Sequence, residues 1–397
     1  MLQIVRNYNL RAQFGDVLYE LFLPKDSDGV PSSVAISPSG GTFLLASESA
    51  RESLAPSLLL LYGEVEHTGF YEKMGYRAKI ASLLKYLWDS TEHRPAFRKI
   101  AQNKDSFIKF ANGIMNETNN LISTIMQKLP EIRQAQETMR NTAEWGQMSE
   151  DQQNDFTSRH EDNERNVKSS LPLCNKTLQM FGYLNTDEDI RQLFLLDELC
   201  PRLVQMLVHV LEKMVGSRGL ELKVDNPEQY EFRPKEMLRD LCAIFALFSG
   251  TEKFQEECAR SGCNPKLLQA AIKTCRKQNL LTGQAMDDFS QLPDAVIIKQ
   301  GAVAEEEELL KDAPDEFMDA LLATFMKDPI RLPSGNTVDR STITQHLLNE
   351  QNDPFNRAPL TVDDLVPDVE LKAKIESWLH ERRGGGQATE PMDVEGE

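Results

Sequence analysis

The sequence has no long apolar run. Its densest stretch, Leu58-Leu59-Leu60-Leu61-Tyr62, is bounded by Ser57 and Gly63. That is far short of the roughly 18–20 residues needed to cross a bilayer, and it predicts part of a buried helix. The start, Met1-Leu2-Gln3-Ile4-Val5-Arg6-Asn7, has no basic residues followed by an uninterrupted apolar core and is not expected to act as a secretory signal. Basic charge is in deficit, with 44 Lys and Arg against 62 Asp and Glu and a formal charge of −18 over 397 residues. Such a chain lacks a broad basic face to displace counterions, which excludes nucleic acid as a partner class. The same sign disfavours adsorption to an anionic membrane leaflet. Cysteine is sparse and unpatterned: Cys174, Cys200, Cys242, Cys258, Cys263 and Cys275 form no disulfide-like framework. A reduced compartment, cytoplasmic or nuclear, is therefore expected. Cys258 and Cys263 lie five residues apart without the second pair that a metal site would need.

What is present is a globular, mainly α composition, 40% apolar and 27% charged. From residue 1 to about 300 the apolar residues recur at helical spacing. Leu199, Leu203, Leu207, Val210 and Met214 form a stripe that Val204, Val208 and Leu211 widen, so that helix should be buried on most sides. Ile108, Ala111 and Met115, then Leu121, Ile122, Ile125 and Leu129, suggest two short amphipathic segments flanking the polar Asn116-Glu117-Thr118-Asn119-Asn120. Short helices with short polar turns point to an all-α stack, although no fixed repeat length marks a solenoid. Pro24 to Gly41 should be a loop. Residues 133–170 are very polar and read as a long solvated helix or helical hairpin projecting from the body, the other reading being a binding arm.

The acidic run Glu305-Glu306-Glu307-Glu308 marks the exit from the helical region. The expected organisation is a helical core over 1–300, an acidic linker over 301–312, a compact module over 313–383 and a flexible acidic tail over 384–397.

That module has a different texture. Phe325 to Asn336 reads as a loop, broken by Pro329 and Pro333 and turned at Ser334-Gly335-Asn336, with one short strand at Thr337-Val338. Asp339 suits a helix N-cap, and the helix would carry Ile343, Leu347 and Leu348 inward. A second loop runs from Asn352 to Leu360. A last helix begins near Pro367-Asp368 and aligns Leu371, Ile375, Trp378 and Leu379. Seventy residues barely support a core of their own, so such a unit needs a metal or dense polar bracing. Residues 313–383 hold no Cys and only His346 and His380, which cannot supply four zinc ligands. Bracing is expected among Asp339, Arg340, Asn352, Asp353 and Asn356.

In order, Leu332-Pro333-Ser334-Gly335, Thr337-Val338-Asp339-Arg340, His346-Leu347, Asp353-Pro354-Phe355-Asn356-Arg357, Pro359-Leu360-Thr361 and Leu371-Lys372 resemble a U-box, which has the RING fold without zinc. Asp312-Ala313-Pro314-Asp315-Glu316-Phe317, Asp151-Gln152-Gln153, Leu222 through Tyr230 and Glu64 through Gly69 extend the resemblance to ubiquitin chain-elongation factors of the ubiquitin-fusion-degradation type. The resemblance implies an elongated, armadillo-like helical core followed by a small α+β U-box, and a chain that begins inside the family's core, without a long N-terminal portion. It implies a RING/U-box-type ubiquitin transferase that forms no covalent intermediate, needs no cofactor, and holds a ubiquitin-conjugating enzyme charged with ubiquitin. Ubiquitinated substrates and the valosin-containing AAA ATPase are further implied partners.

On the family pattern Leu321, Met326 and Pro354 match positions that contact the conjugating enzyme, with Thr324 beside them, and Arg357 matches the position reaching both enzyme and donor ubiquitin. Each has a plainer alternative. Leu321 could staple the entrance segment to the core, Met326 could be core, Pro354 could only stiffen its loop, and Arg357 could pair with Asp353 or Asp363. His346 reads as structural, and Phe355 and Trp378 as core. Two other functions stay open: a non-catalytic helical scaffold with a degenerate U-box, and a chaperone-coupled ligase, although no tetratricopeptide signature is present.

Overall fold

The structure, a computed structural model, describes residues 7–23, 44, 46–65, 70–215 and 224–384. The loop expected over Pro24 to Gly41 and the tail beyond Gly384 lie outside the described residues. The chain divides into two compact units, Met1–Lys299 and Gln300–Glu397.

The first unit is helical throughout its described residues: α1 (Tyr8–Phe22), α2 (Glu48–Glu64), α3 (Phe70–Asp89), α4 (Arg94–Arg98), α5 (Lys104–Arg140), α6 (Thr142–Trp145), α7 (Glu150–Leu184), α8 (Glu188–Phe194), α9 (Cys200–Val215), α10 (Pro234–Ser249), α11 (Glu252–Arg260), α12 (Pro265–Gln278) and α13 (Gln284–Leu310), which runs into the second unit. Side chains at the entrances account for several starts. Asn7, Ser47, Asn103 and Asp187 each accept from a backbone N–H of the first turn, and Ser149 and Gln152 form a reciprocal capping box. The Leu58–Tyr62 run is in α2, with Leu58, Leu59, Leu61 and Tyr62 buried. The α9 stripe is buried from Leu203 to Leu211 at all but two positions, packed against α5, α10, α11 and α12.

One expectation fails instructively. Residues 104–140 form a single helix of 37 residues, not two short ones. The polar stretch that suggested a break is partnered from distant helices. Arg202 donates to Asn116 at 2.8 Å, and the Thr118 hydroxyl donates to the Ile114 carbonyl at 2.8 Å. Glu117 pairs with the buried Arg77 guanidinium, which also donates to the Tyr62 carbonyl at 3.1 Å. Residues 133–170 form a helical hairpin, as its polarity suggests: α5 and α7 pack along each other, joined through α6, whose Trp145 stacks edge-on against Phe156. All six cysteines are free and buried. Among the described residues no helix is long and apolar enough to cross a membrane.

In the second unit the acidic run is helical up to Leu310, and Glu306 pairs with Lys327 at 2.9 Å. Beyond it, β1 (Pro329–Arg331), β2 (Thr337–Asp339) and β3 (Val366–Pro367) form a three-stranded antiparallel sheet in the order β2-β1-β3, with Ile330 opposite Val338 on one side and Pro367 on the other. The sequence suggested one strand here. Pro329 does not prevent β1 because it is the first residue of that strand, where a missing N–H is tolerated. Between β2 and β3 runs α14 (Arg340–Leu347), and α15 (Val369–Gly384) follows the sheet. Ile330, Leu332, Val338, Ile343, Leu347 and Leu360 form one small core, and Phe317, Met326 and Ile375 form a second, against which Leu371, Trp378 and Leu379 pack.

Candidate functional site

Two loops frame the site, and both are tied to the β1–β2 hairpin by buried carboxylates. The hairpin turn is at Ser334-Gly335-Asn336: Gly335 has φ +88°, a conformation that glycine adopts without strain, and the Leu332 N–H donates to the Asn336 carbonyl at 2.9 Å.

The first loop, residues 319–324, closes on itself. The Asp319 N–H donates to the Thr324 carbonyl at 2.7 Å, and the Ala323 N–H donates to the Asp319 carbonyl at 2.8 Å. The Asp319 carboxylate accepts from the Leu321 and Leu322 amides at 2.7 and 3.0 Å and from the Asp339 amide of β2 at 2.7 Å. The Ala320 N–H reaches the Thr337 carbonyl at 3.2 Å. Asp339 caps α14 as expected, accepting from Ser341, and its second oxygen accepts from the Lys327 and Asp328 amides at 2.6 and 2.9 Å.

The second loop hangs from Asp353, which is fully buried. Its carboxylate accepts from the Ser334 amide at the hairpin tip and from the Phe355 amide, both at 2.9 Å. Its backbone carbonyl accepts from Arg357 and its N–H donates to Ala358, each at 2.8 Å. Asn356 accepts from the Ala358 amide, and the His346 ring contacts the Asn352 carbonyl at 2.9 Å, the structural role its position suggested. Burial alone would raise the Asp353 carboxyl, but hydrogen bonds from Phe355, Ser334 and Asn356 outweigh it and hold the group below the usual range. The anchors of the two loops, Ser334 and Thr337, are three residues apart, hence at most about 11 Å.

Of the bracing residues expected, Asp339, Arg340, Asn352, Asp353 and Asn356 all take part. Sequence reasoning missed Asp319, Asp328 and Lys372. Asp328 receives Arg340 on one oxygen and Lys372 on the other, the latter at 2.9 Å. Burial opposes ionisation of Asp328, yet these two cations keep its carboxyl below the usual range. Nothing in the local pattern flags Asp328 and Lys372, since the partners of Asp328 lie 12 and 44 positions away.

The candidate contact residues separate. Leu321 is 42% exposed, Thr324 is exposed and Pro354 is half-buried, in two sequence-distant loops tied to the same hairpin at neighbouring anchors. Met326 is different: at 1% exposure it belongs to the core with Phe317 and Ile375, so its side chain presents no contact surface. Phe355, expected in the core, is 39% exposed, and Leu322, unremarked in the sequence, is 58% exposed. Arg357 is exposed, with its backbone in the left-handed region at φ +61°. Its guanidinium forms no ion pair among the described residues; Asp353 is occupied by backbone amides instead. The two braced loops expose the apolar side chains of Leu321, Leu322 and Phe355, and Arg357 on the second loop has no ion pair among the described residues. Exposed apolar groups on well-tied loops can receive another macromolecule.

Comparison with known proteins gives the same two-part division of the sequence. Residues 2–297 match the family described as Ubiquitin elongating factor core, and residues 313–384 match the U-box domain. The chain is similar to the probable ubiquitin conjugation factor E4 of Arabidopsis thaliana, 35% identical over 95% of this chain and 36% of the relative. It is similar to ubiquitin conjugation factor E4 A of Bos taurus, at 30% over 96% and 37%. The E4 ubiquitin-protein ligase UFD2 of Saccharomyces cerevisiae is 32% identical over 83% of this chain and 35% of that protein. The chain thus spans about a third of the length of the curated relatives it matches.

Proposed function

The chain belongs to the ubiquitin elongating factor core family and carries a U-box, and from that we propose that it is a U-box ubiquitin transferase that elongates ubiquitin chains on already ubiquitinated substrates, marking them for proteasomal degradation. The observation that carries the reading is the pair of loops on one hairpin, with Leu321 and Thr324 exposed on the first, Pro354 half-buried on the second, and Arg357 exposed on that second loop with no ion pair among the described residues. Leu321, Thr324 and Pro354 dock the ubiquitin-conjugating enzyme. Leu322 and Phe355 widen that surface, and Met326 supports the first loop from beneath.

The reaction takes place on the docked enzyme. The acceptor lysine ε-amine attacks the thioester carbonyl, an amide bond forms, the carbon–sulfur bond breaks and the enzyme's cysteine leaves as thiolate. The U-box contributes proximity and a narrowed set of conformers, which converts a wandering donor ubiquitin into a near-attack arrangement. Arg357 suits that task because its planar fork donates to two carbonyls at once, bridging conjugating enzyme and donor ubiquitin. The helical unit presents substrates, and the valosin-containing AAA ATPase is a further partner in this reading. The six buried free thiols accord with a cytoplasmic and nuclear location.

A reconstituted reaction with activating enzyme, conjugating enzymes, ubiquitin and the full chain tests the proposal. Pro354→Ala should raise the KM for the conjugating enzyme. Arg357→Ala should leave that KM near its original value and slow discharge to lysine by about tenfold or more, the signature of an interaction made in the transition state. Equal chain formation by the wild type and both variants would reduce the chain to a scaffold.

A further inference from the structure

Asp319 is placed to do more than brace the fold. It is 2% exposed, yet it sits directly beneath the most exposed apolar pair of the first loop, Leu321 at 42% and Leu322 at 58%. One carboxylate oxygen accepts from the amides of both leucines, and the other accepts from Asp339 in β2. Around it the turn is closed by the Asp319–Thr324 and Ala323–Asp319 backbone bonds and tied to β2 by the Ala320 N–H on the Thr337 carbonyl. The loop also contains Ala323 at φ +53°, a left-handed conformation that is unfavourable for a residue bearing a β-carbon and persists only where the surroundings hold it.

We propose that Asp319 is a positioning residue for docking: it fixes the backbone of Leu321 and Leu322 in the binding-ready conformation before the conjugating enzyme arrives. This rests on the docking reading above and specifies how one loop achieves it. A carboxylate is the only common side chain that offers two acceptor oxygens and no donor, as three inward N–H groups require. In Asp319→Asn, one of the two positions becomes an NH2 facing an N–H. The loop then loses either its leucine amides or its tie to β2, and a floppy loop must be ordered at the expense of binding.

The test is steady-state discharge by the full chain as the conjugating-enzyme concentration is varied. Asp319→Asn should raise KM by about tenfold, the loss of a charged hydrogen bond, while kcat at saturation stays within about twofold. A purely structural role would lower the folded fraction, and with it kcat, at unchanged KM; that result overturns the inference. Leu321→Ala and Pro354→Ala run alongside. If they too leave KM unchanged, it is the docking reading that fails; if they raise it and Asp319→Asn does not, only the positioning role is lost. Should Asp319→Asn not fold, hydrogen exchange of the wild type decides. The Leu321 and Leu322 amides should be protected by about tenfold or more before any conjugating enzyme is added. Unprotected amides that slow only on binding would refute prior ordering.

Discussion

Exposure and chemical type diverge within the U-box, and the divergence can be measured. Met326 is buried in a core of three residues, so Met326→Ala should destabilise the domain by about 2–5 kcal/mol, as large-to-small core substitutions do. Leu321→Ala removes a side chain that is 42% exposed and should lower the melting temperature far less than Met326→Ala does. Thermal denaturation followed through Trp378, which packs on that core, separates the two. Reversal of the pattern would mean the contact and core assignments are exchanged. Sequence could not separate them, because both are unbranched or γ-branched apolar residues in one loop, five positions apart. Asp319 was still less visible, since its whole role is to accept from main-chain N–H groups, which every residue has. Asp339 was legible because it precedes a helical pattern, the place for an N-cap, whereas Asp319 makes equally local bonds in an irregular loop that no pattern marks.

The carboxylates also set a pH dependence. Asp328 and Asp353 ionise below the usual range in the folded state, so the unfolded chain binds protons more readily. Their contribution is therefore fully present above the unfolded value near 3.9 and is lost as pH falls through the lower folded values. Melting temperature of the domain should be level above about pH 5 and fall steadily below about pH 4. A domain equally stable at pH 3 and pH 7 would show that these hydrogen bonds contribute nothing.

Among the elements, α5 shows how tertiary pairing overrides a local signal. Asn116 to Asn120 looked like a turn because five polar residues follow one another, but their partners, Arg77 and Arg202, are 40 and 86 positions away in sequence. Elsewhere local signals were enough: the α9 stripe shows helical spacing, the Leu58 run its apolar density and residues 133–170 their polarity, each displayed directly in the sequence. Removing one partner from a buried ion pair leaves the other charge unpaired, and Glu117→Ala should cost about 3–5 kcal/mol. Calorimetry of the full chain should show the transition of the helical unit moving down while that of the U-box stays in place. The short strands flanking the Ser334 turn were legible only in part. Strand β1 starts on a proline, and β3 is two residues long, so neither carries an alternating pattern to read.

For the whole molecule, the change of texture beyond residue 312 is visible in composition, but the acidic run at 305–308 that read as a linker is helical up to Leu310, because charge alone does not break a helix. Polar bracing was expected from the small size of the module, and among the described residues it is a set of Asp carboxylates shared among backbone amides and basic side chains. Prolonged treatment with a chelator should therefore leave both the melting profile and ubiquitin discharge unchanged. Loss of either on chelation, restored by zinc, would contradict that account.

The burial of every cysteine has a practical corollary. A maleimide reagent meets no accessible sulfur while the protein is folded, so one cysteine introduced at an exposed site such as Gln147 or Glu370 becomes a unique attachment point for a fluorophore or spin label. Distances between such labels could be recorded during turnover without first stripping the native thiols. The uptake of reagent by the remaining six would in turn report, in the same tube, how much of the helical unit has opened.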